Sequence, residues 1–132
     1  MKCIIPIFLV SISIFFSGCF PGNSPLVKQQ FAEISKMQLN QLVMHIEFYK
    51  LQNGHYPDSL EQLRVTDEMV TLTDFSAGMQ ATEPPNFRYE RIGEKYTLFS
   101  SGMDGVPGTK DDFYPQIEIP DSSKIGLIVK HK

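Results

Sequence analysis

The chain has 132 residues, of which 42% are hydrophobic and 20% are charged, and its 12 Lys and Arg against 15 Asp and Glu give a net charge of −3 at pH 7. This length is that of one domain, which excludes a large multi-domain enzyme. The acidic balance, with no basic cluster longer than the closing Lys130-His131-Lys132, argues against a nucleic-acid partner.

Residues 1–18 are typical of a signal peptide. Met1-Lys2 forms a short positive start, and an uncharged apolar run follows at residues 3–16, which is too short to span a bilayer comfortably as a permanent helix. The run ends in Ser17-Gly18-Cys19, which resembles the lipobox of bacterial lipoproteins. That resemblance implies cleavage before Cys19 and acylation of its thiol, for example by palmitate. The alternatives are an uncleaved anchor or a generic signal with a chance cysteine.

Lipidation of Cys19 would determine where the protein resides. Several acyl chains attach a protein stably to a membrane, whereas a single chain is marginal. Because Cys3 leaves with the signal peptide, no cysteine remains for a disulfide or a thiolate metal site. Phe20 follows the cysteine, so no Asp indicates retention at the inner membrane. We therefore expect a lipid-anchored, periplasm-facing protein of the cell envelope, at the outer rather than the inner membrane.

A short tether and a long helix follow. Residues 19–25 combine the lipidated cysteine with a Pro/Gly/Ser-rich stretch, and residues 26–53 contain neither Gly nor Pro. Ser24-Pro25 predicts the start of a helix and Gly54 its end. Apolar residues recur at spacings of three and four, with one longer gap bridged by Leu39, which predicts a single apolar face. The residues predicted on that face are Phe31, Ile34, Leu42, Val43, Ile46 and Tyr49.

The rest of the chain predicts shorter elements. Asp58 with Glu61 three residues later forms a capping-box pattern and predicts a second, short helix, after which residues 64–86 are irregular. Alternating residues at 87–92 and 95–99, separated by Gly93-Glu94, predict a β-hairpin. The tail offers two further strand candidates, at residues 116–119 and 125–129.

The predicted class is α+β, with a long N-terminal amphipathic helix packed on a small antiparallel β-sheet. The helical and strand spacing of the aromatic residues is typical of a core rather than of a ligand platform. The aromatic residues predicted to be core are Phe48, Tyr49, Phe87, Tyr89, Tyr96 and Phe99.

Three stretches, in this order, resemble the soluble domain of the major pseudopilin of bacterial type II secretion. Residues 49–57 match the pattern Y-x-x-x-x-G-x-Y-P, and residues 96–100 resemble the last strand of that domain. Residues 100–112 are similar to its calcium loop, with the pattern S-x-G-x-D-G-x-x-G and closing aspartates. The resemblance implies a pseudopilin-like domain at residues 26–115. Residues 116–132 lie outside the resemblance and form a tail, which we expect either to add a strand or to hold a partner.

The chain also departs from this family. A pseudopilin begins with a prepilin-peptidase site and a long hydrophobic helix that packs the filament, whereas here a cleavable signal and Cys19 stand in that place. The family's Pro-Trp-Gly stretch is missing because the chain has no Trp, and Pro84-Pro85 is the nearest equivalent. The resemblance therefore implies a shared globular domain without that means of polymerising.

The loop at residues 100–112 carries the chemistry of a candidate calcium site. Ca²⁺ takes six to eight oxygen ligands at flexible geometry, and the loop offers the carboxylates of Asp104, Asp111 and Asp112. The resemblance implies a structural Ca²⁺ bound by Asp104 and by one or both of Asp111 and Asp112. Backbone carbonyls at residues 98–103 would complete the ligand set. The alternative is a solvated Gly/Asp surface loop.

Nothing in the sequence predicts catalysis. The spacing of His45, His55 and His131 forms no metal motif, so each is interpreted as a structural or surface residue. The sequence contains no nucleophile elbow, Walker loop or dinucleotide fingerprint. We therefore predict a protein that is not an enzyme and has no small-molecule substrate.

The combined prediction is a lipid-anchored envelope protein with a calcium-stabilised pseudopilin-like domain. It would be an accessory or structural component linked to type II secretion or to a type IV pilus-like system. Its partners would be the membrane, through lipidated Cys19, and proteins such as pseudopilins or other secretion components. One alternative is a stand-alone lipoprotein that binds proteins and is unrelated to secretion. Another is a small hydrolase that uses the Asp cluster with a metal.

Overall fold

The structure, a computed structural model, describes residues 24–79, 82–120 and 122–129. The predictions on the signal peptide and on Cys19 lie outside these residues. The elements in chain order are helix α1 (Pro25–Asn53), a 3₁₀ turn (Leu60–Gln62), helix α2 (Leu63–Thr66), a second 3₁₀ turn (Ala77–Met79), strand β1 (Arg88–Ile92) and strand β2 (Lys95–Phe99).

Both ends of α1 are fixed by local chemistry. The Ser24 hydroxyl accepts a hydrogen bond from the Val27 N–H at 3.3 Å, and Pro25 occupies the first helical position, where no N–H is needed. At the other end, Gly54 has a φ of 80° and donates its N–H to the Lys50 carbonyl at 2.8 Å. The long helix is therefore confirmed, with its ends where the sequence predicts them.

The inner face of α1 differs from the predicted face. Ile34 is 42% exposed and Phe48 is 53% exposed, so the prediction that they belong to the core is wrong. The helix turns by about 100° per residue, and apolar residues lie on both its inner and its outer side. Spacing alone therefore does not distinguish the buried apolar residues from the exposed ones. The residues of α1 that are buried are Ala32, Ser35, Leu39, Leu42, Val43 and Ile46.

The short helix forms where the sequence predicts it, with a different cap. A 3₁₀ turn leads directly into α2, and Leu60 and Leu63 are buried. The Gln62 side-chain oxygen accepts the Asp58 N–H at 2.8 Å, so the residue that reaches back is Gln62 and not Glu61. Together with α2, this turn packs against the C-terminal half of α1.

The predicted hairpin is confirmed. β1 and β2 pair antiparallel, with Arg88 opposite Phe99 and Ile92 opposite Lys95, which leaves a two-residue loop. Gly93 has a φ of 59° and no non-glycine residue described has a positive φ, which corresponds to a type II′ turn with glycine at its first position. Two-residue loops of this type match the right-handed twist of the strands.

The core lies between the inner face of α1 and the hairpin. Tyr56 and Tyr96 are both fully buried, and their ring centroids lie 4.9 Å apart. The buried hydrophobic residues of this cluster are Leu39, Leu42, Val43, Ile46, Tyr56, Leu60, Leu63, Val70, Leu72, Phe87, Tyr96, Leu98 and Leu127. The aromatic prediction is therefore confirmed for Phe87 and Tyr96.

The tail packs on the domain without forming a regular strand in its described part, residues 116–120 and 122–129. Leu127 makes an isolated parallel bridge with Tyr96 instead of the two strands predicted there. The Tyr96 N–H donates to the Gly126 carbonyl at 2.9 Å, and the Ile128 N–H donates to the Tyr96 carbonyl at 2.8 Å. The tail therefore covers the free edge of β2 over a few residues only.

Candidate functional site

The Gly/Asp loop, residues 100–113, is closed at its base by the backbone. Ser100 and Phe113 exchange two hydrogen bonds, of 2.9 Å and 3.1 Å, immediately after β2 ends. Ser100 and Ser101 are buried, and the Arg88 guanidinium donates to the Ser101 hydroxyl at 3.0 Å. The two ends of the loop are thus held together next to β2, and its first residues are also held by Arg88 of β1.

Glycines allow the loop to turn tightly. Gly102, Gly105 and Gly108 have φ values of 64°, 68° and 88°, which residues other than glycine rarely adopt. A Cβ on Gly102 would also collide with the backbone carbonyl of Asp111 and lie 2.6 Å from its Oδ2. Gly102 is therefore required both for its conformation and for the close approach of Asp111.

Asp111 stabilises the loop by accepting hydrogen bonds from other loop residues. Its Oδ2 accepts the N–H of Met103 at 2.8 Å and the N–H of Asp104 at 3.1 Å, and its Oδ1 accepts the Thr109 hydroxyl. Partial burial by itself would raise the pKa of Asp111. The hydrogen bonds from Thr109 and from the two backbone N–H groups outweigh that effect and hold the pKa of Asp111 below its ordinary value.

Asp112 has an oxygen with no partner. Its side chain is only 4% exposed, and its Oδ2 accepts the Gly108 N–H at 2.8 Å and the Tyr114 hydroxyl at 3.4 Å. Its Oδ1 is buried and has no hydrogen-bond partner. Burial, together with the Asp112 carboxylate, raises the pKa of Tyr114. A buried carboxylate oxygen without a donor is costly, and a hard cation is one of the groups that relieve that cost.

Asp104 lies on the outer side of the loop. It is exposed, and its Oδ1 accepts the Val106 N–H at 2.8 Å. The loop thus places all three predicted carboxylates on one short segment, but it holds them mainly as hydrogen-bond acceptors. Within residues 24–79, 82–120 and 122–129, no group of three or more His, Cys, Asp or Glu side chains is arranged as a metal site. Of the three carboxylates, Asp112 fits a cation best, through its open oxygen.

A buried polar network, which the sequence did not reveal, connects this loop to α1. The Ser76 hydroxyl donates to Asp74 Oδ1 at 2.7 Å, accepts from Ser35 at 2.9 Å and lies 3.1 Å from the Ser100 hydroxyl. The Ser100 hydroxyl in turn accepts the Gly102 N–H at 3.1 Å. The only sequence signal for this network is Ser35, a polar residue on the helix face that is otherwise apolar.

A second carboxylate cluster lies at the far end of the sheet. The Glu47 carboxylate accepts the hydroxyls of Tyr56 and Tyr96, at 3.1 Å and 3.0 Å, and the Gly126 N–H at 3.2 Å. Burial, followed by the nearby Glu47 charge, raises the pKa of both tyrosines. The Lys50 ammonium lies 4.2 Å from the centroid of the Tyr56 ring. These contacts fasten the tail to α1 and β2.

Neither described histidine takes part in either cluster. His45 is half-buried beside α2, His55 lies at the helix end with its Nδ1 2.9 Å from the Tyr56 carbonyl oxygen, and His131 is outside the described residues. In the described part of the chain, no helix is long and apolar enough to cross a membrane.

Comparison with known proteins gives one match. Residues 26–115 match the family model described as Type II secretion system (T2SS), protein G. No curated protein and no solved structure matches the chain. The matched range contains α1 except for Pro25, the short helix, the hairpin and the Gly/Asp loop.

Proposed function

Because the chain belongs to the protein G family of the type II secretion system, we propose that it is a non-enzymatic structural component linked to that system. We propose separately, from the sequence around Cys19, that it is lipid-anchored. The family places it among secretion-related structural components of the cell envelope. The observation that carries the link to secretion is the match over residues 26–115, a range that includes the helix from its second residue, the hairpin and the Gly/Asp loop.

The proposed anchor is the thiol of Cys19. Ser17-Gly18-Cys19 supplies the small residues that precede a lipidated cysteine, and α1 begins at Pro25. An extended chain spans at most about 3.5 Å per residue, so the helix would start within roughly 20 Å of the membrane surface. The domain would then act close to the membrane, where its partners would be pseudopilins or other secretion components.

The proposed cofactor is one structural Ca²⁺ in the Gly/Asp loop. The buried, unpartnered Oδ1 of Asp112 supports it, because a cation would satisfy this atom. Asp104 and backbone carbonyls at residues 98–103 would supply further oxygens. Asp111, whose two oxygens already accept three hydrogen bonds, would hold the loop in shape and would be the weaker ligand candidate.

Thermal unfolding of the full chain in detergent tests the cofactor. A site filled to about 100 times its Kd adds about 2.7 kcal/mol, which should raise Tm by roughly 10 °C relative to chelator. We expect Asp112→Asn to lose this shift and Glu118→Gln, an exposed carboxylate outside the loop, to keep it. An identical Tm with Ca²⁺ and with chelator, or an equal shift with Mg²⁺, would refute a specific calcium site.

Deletion in the native host tests the link to secretion. We expect substrates of the secretion system to accumulate in the periplasm, and the wild-type chain to restore their export. Cys19→Ala should restore it poorly, because the domain would no longer be held at the membrane. A normal secretion profile in the deletion strain would instead favour the alternative, a stand-alone lipoprotein that binds proteins.

A further inference from the structure

The outer side of α1 carries a series of exposed apolar residues, the outer stripe. Its members, which are 42–83% exposed, are Leu26, Ile34, Met37, Met44, Phe48 and Leu51. At about 100° per residue, these positions fall within an arc of about 100° that runs along almost the whole helix. An exposed apolar surface of this length on a water-soluble domain indicates contact with a partner or a membrane.

The apolar surface extends beyond the helix. A depression of about 750 Å³ separates α1 from α2 and is lined by Met44 and Phe48 on one side and by Leu63 on the other. A smaller depression, of about 70 Å³, is lined by Gln41 and by Met69, which is 91% exposed. The surface is therefore broad, and it continues from α1 to the segment that follows α2.

The other positions within this arc of α1 carry little charge. Three of them are the glutamines Gln30, Gln41 and Gln52. The fourth is Glu33, whose carboxylate pairs with the Lys36 ammonium at 3.0 Å. Moving this side of the helix into a less polar medium would therefore desolvate few charges, which are the groups that oppose such a transfer most strongly.

The proposed anchor limits how α1 can lie relative to the membrane. Pro25 follows Cys19 by six residues, so the helix would begin within roughly 20 Å of the membrane surface. The helix has 29 residues, which corresponds to a length of about 43 Å. An upright helix would leave most of the outer stripe in water, whereas a helix that lies along the membrane would bury all of it.

We propose that α1 lies along the membrane surface, with the outer stripe in the interface between lipid head groups and acyl chains. This orientation rests on the lipid anchor at Cys19 that is proposed above. Amphipathic helices bind membranes in this way, with the apolar face about 5–10 Å deep. Because the anchor makes the contact intramolecular, a modest apolar surface is enough to hold it. The hairpin, on the inner side of α1, then faces the aqueous phase.

Spin labels on the chain in vesicles test this orientation. The mature, acylated chain is reconstituted into vesicles of phosphatidylethanolamine and phosphatidylglycerol. Because the Cys19 sulfur is acylated and Cys3 is removed, Met44→Cys supplies the one thiol for a nitroxide label. We expect this label to collide readily with oxygen, which concentrates in lipid. It should collide roughly fivefold less with a water-soluble nickel complex than a label at Ile92→Cys.

Ile92 is the matched control position. It is an apolar residue of β1 and is 49% exposed, so a label there should be accessible to the nickel complex. A charge within the outer stripe gives a second control. Added to Met44→Cys, Phe48→Glu should raise the nickel collision rate towards that of Ile92→Cys, because a carboxylate opposes insertion into lipid. Phe48→Leu keeps the position apolar and should leave the rate low.

The outcomes separate the orientation of α1 from the anchor. A chain that has no acyl groups by mass spectrometry and does not float with the vesicles would refute the anchor and, with it, this orientation. A chain that floats while the labels at Met44→Cys and Ile92→Cys collide equally with nickel would refute the orientation alone. The outer stripe would then belong to a protein partner.

The charged variant provides a further way to refute the orientation. Unchanged shielding from nickel in Phe48→Glu, when circular dichroism shows that this variant is folded, would overturn the contact with lipid. If Phe48→Glu does not fold, Leu51→Glu at a position 83% exposed replaces it, with the same expected loss of shielding.

Discussion

The two carboxylate clusters of this domain use the same chemistry over very different distances along the chain. In the Gly/Asp loop, all the donors to Asp111 lie within eight residues of it. In the Glu47 cluster, Tyr56, Tyr96 and Gly126 lie 9, 49 and 79 residues from the carboxylate. The first cluster shapes a loop, whereas the second holds separate elements together, so we expect the second to contribute more to global stability.

The largest effect on thermal stability is expected from Glu47→Ala. This change leaves two buried tyrosine hydroxyls without their carboxylate acceptor, at about 3 kcal/mol in total, whereas the Gly126 N–H keeps the Tyr56 hydroxyl as its acceptor at 2.8 Å. For a domain of this size we expect Tm to fall by more than 10 °C, measured by circular dichroism on the full chain.

Glu33→Ala is the matched control for this change. Glu33 lies on the same helix and makes only an exposed ion pair with Lys36, which is worth well under about 1 kcal/mol. Equal losses of Tm for the two variants would contradict the view that the Glu47 cluster joins the helix, the sheet and the tail.

An intermediate effect is expected from Gly102→Ala. The new methyl group would require both a positive φ and a displaced Asp111 backbone, at about 2–3 kcal/mol. Gly93→Ala isolates the first of these costs, since Gly93 has a similar φ of 59° and no heavy atom within 4 Å of the added Cβ. We expect Gly93→Ala to lose only about 1 kcal/mol. If both variants lost the same unfolding free energy, measured by urea titration, the Asp111 backbone would move aside from the new methyl group at no cost.

The smallest effect is expected from the titration of Asp111. Its pKa is lowered in the folded state, so ionised Asp111 stabilises the loop above about pH 4 and this contribution is lost as the pH falls through the lower, folded-state pKa. Asp111→Asn should therefore lower Tm at pH 7 and have less effect near pH 3. An effect that grows on acidification would contradict this sign.

Elements with local signals could be predicted from the sequence. The ends of α1 follow from Ser24-Pro25 and Gly54, each of which acts within four residues. The hairpin follows from alternation around Gly93-Glu94. The Gly/Asp loop could be located for the same reason, because its glycines and its aspartates lie on one segment.

Features that depend on distant contacts could not be predicted. The spacing of Ile34 and Phe48 fits a helix face, but only the position of the hairpin decides which face is buried. Asp74 is 1% exposed, and its Oδ1 accepts the Ser76 hydroxyl, which in turn accepts the Ser35 hydroxyl of α1. No pattern near Asp74 indicates this distant serine. The tail has strand-like residues, yet Gly126 and its neighbours pair with β2 over a few residues only.

The position of Gly126 has a consequence for how the protein is made. Its backbone contacts Tyr56, Tyr96 and Glu47, and a Cβ there would collide with the Tyr56 ring, so the space between helix and sheet closes only around this glycine. A ribosome adds residues from the N-terminus and releases Gly126 long after α1. The domain therefore cannot complete its core until Gly126 has left the ribosome, although the helix and the hairpin are made long before.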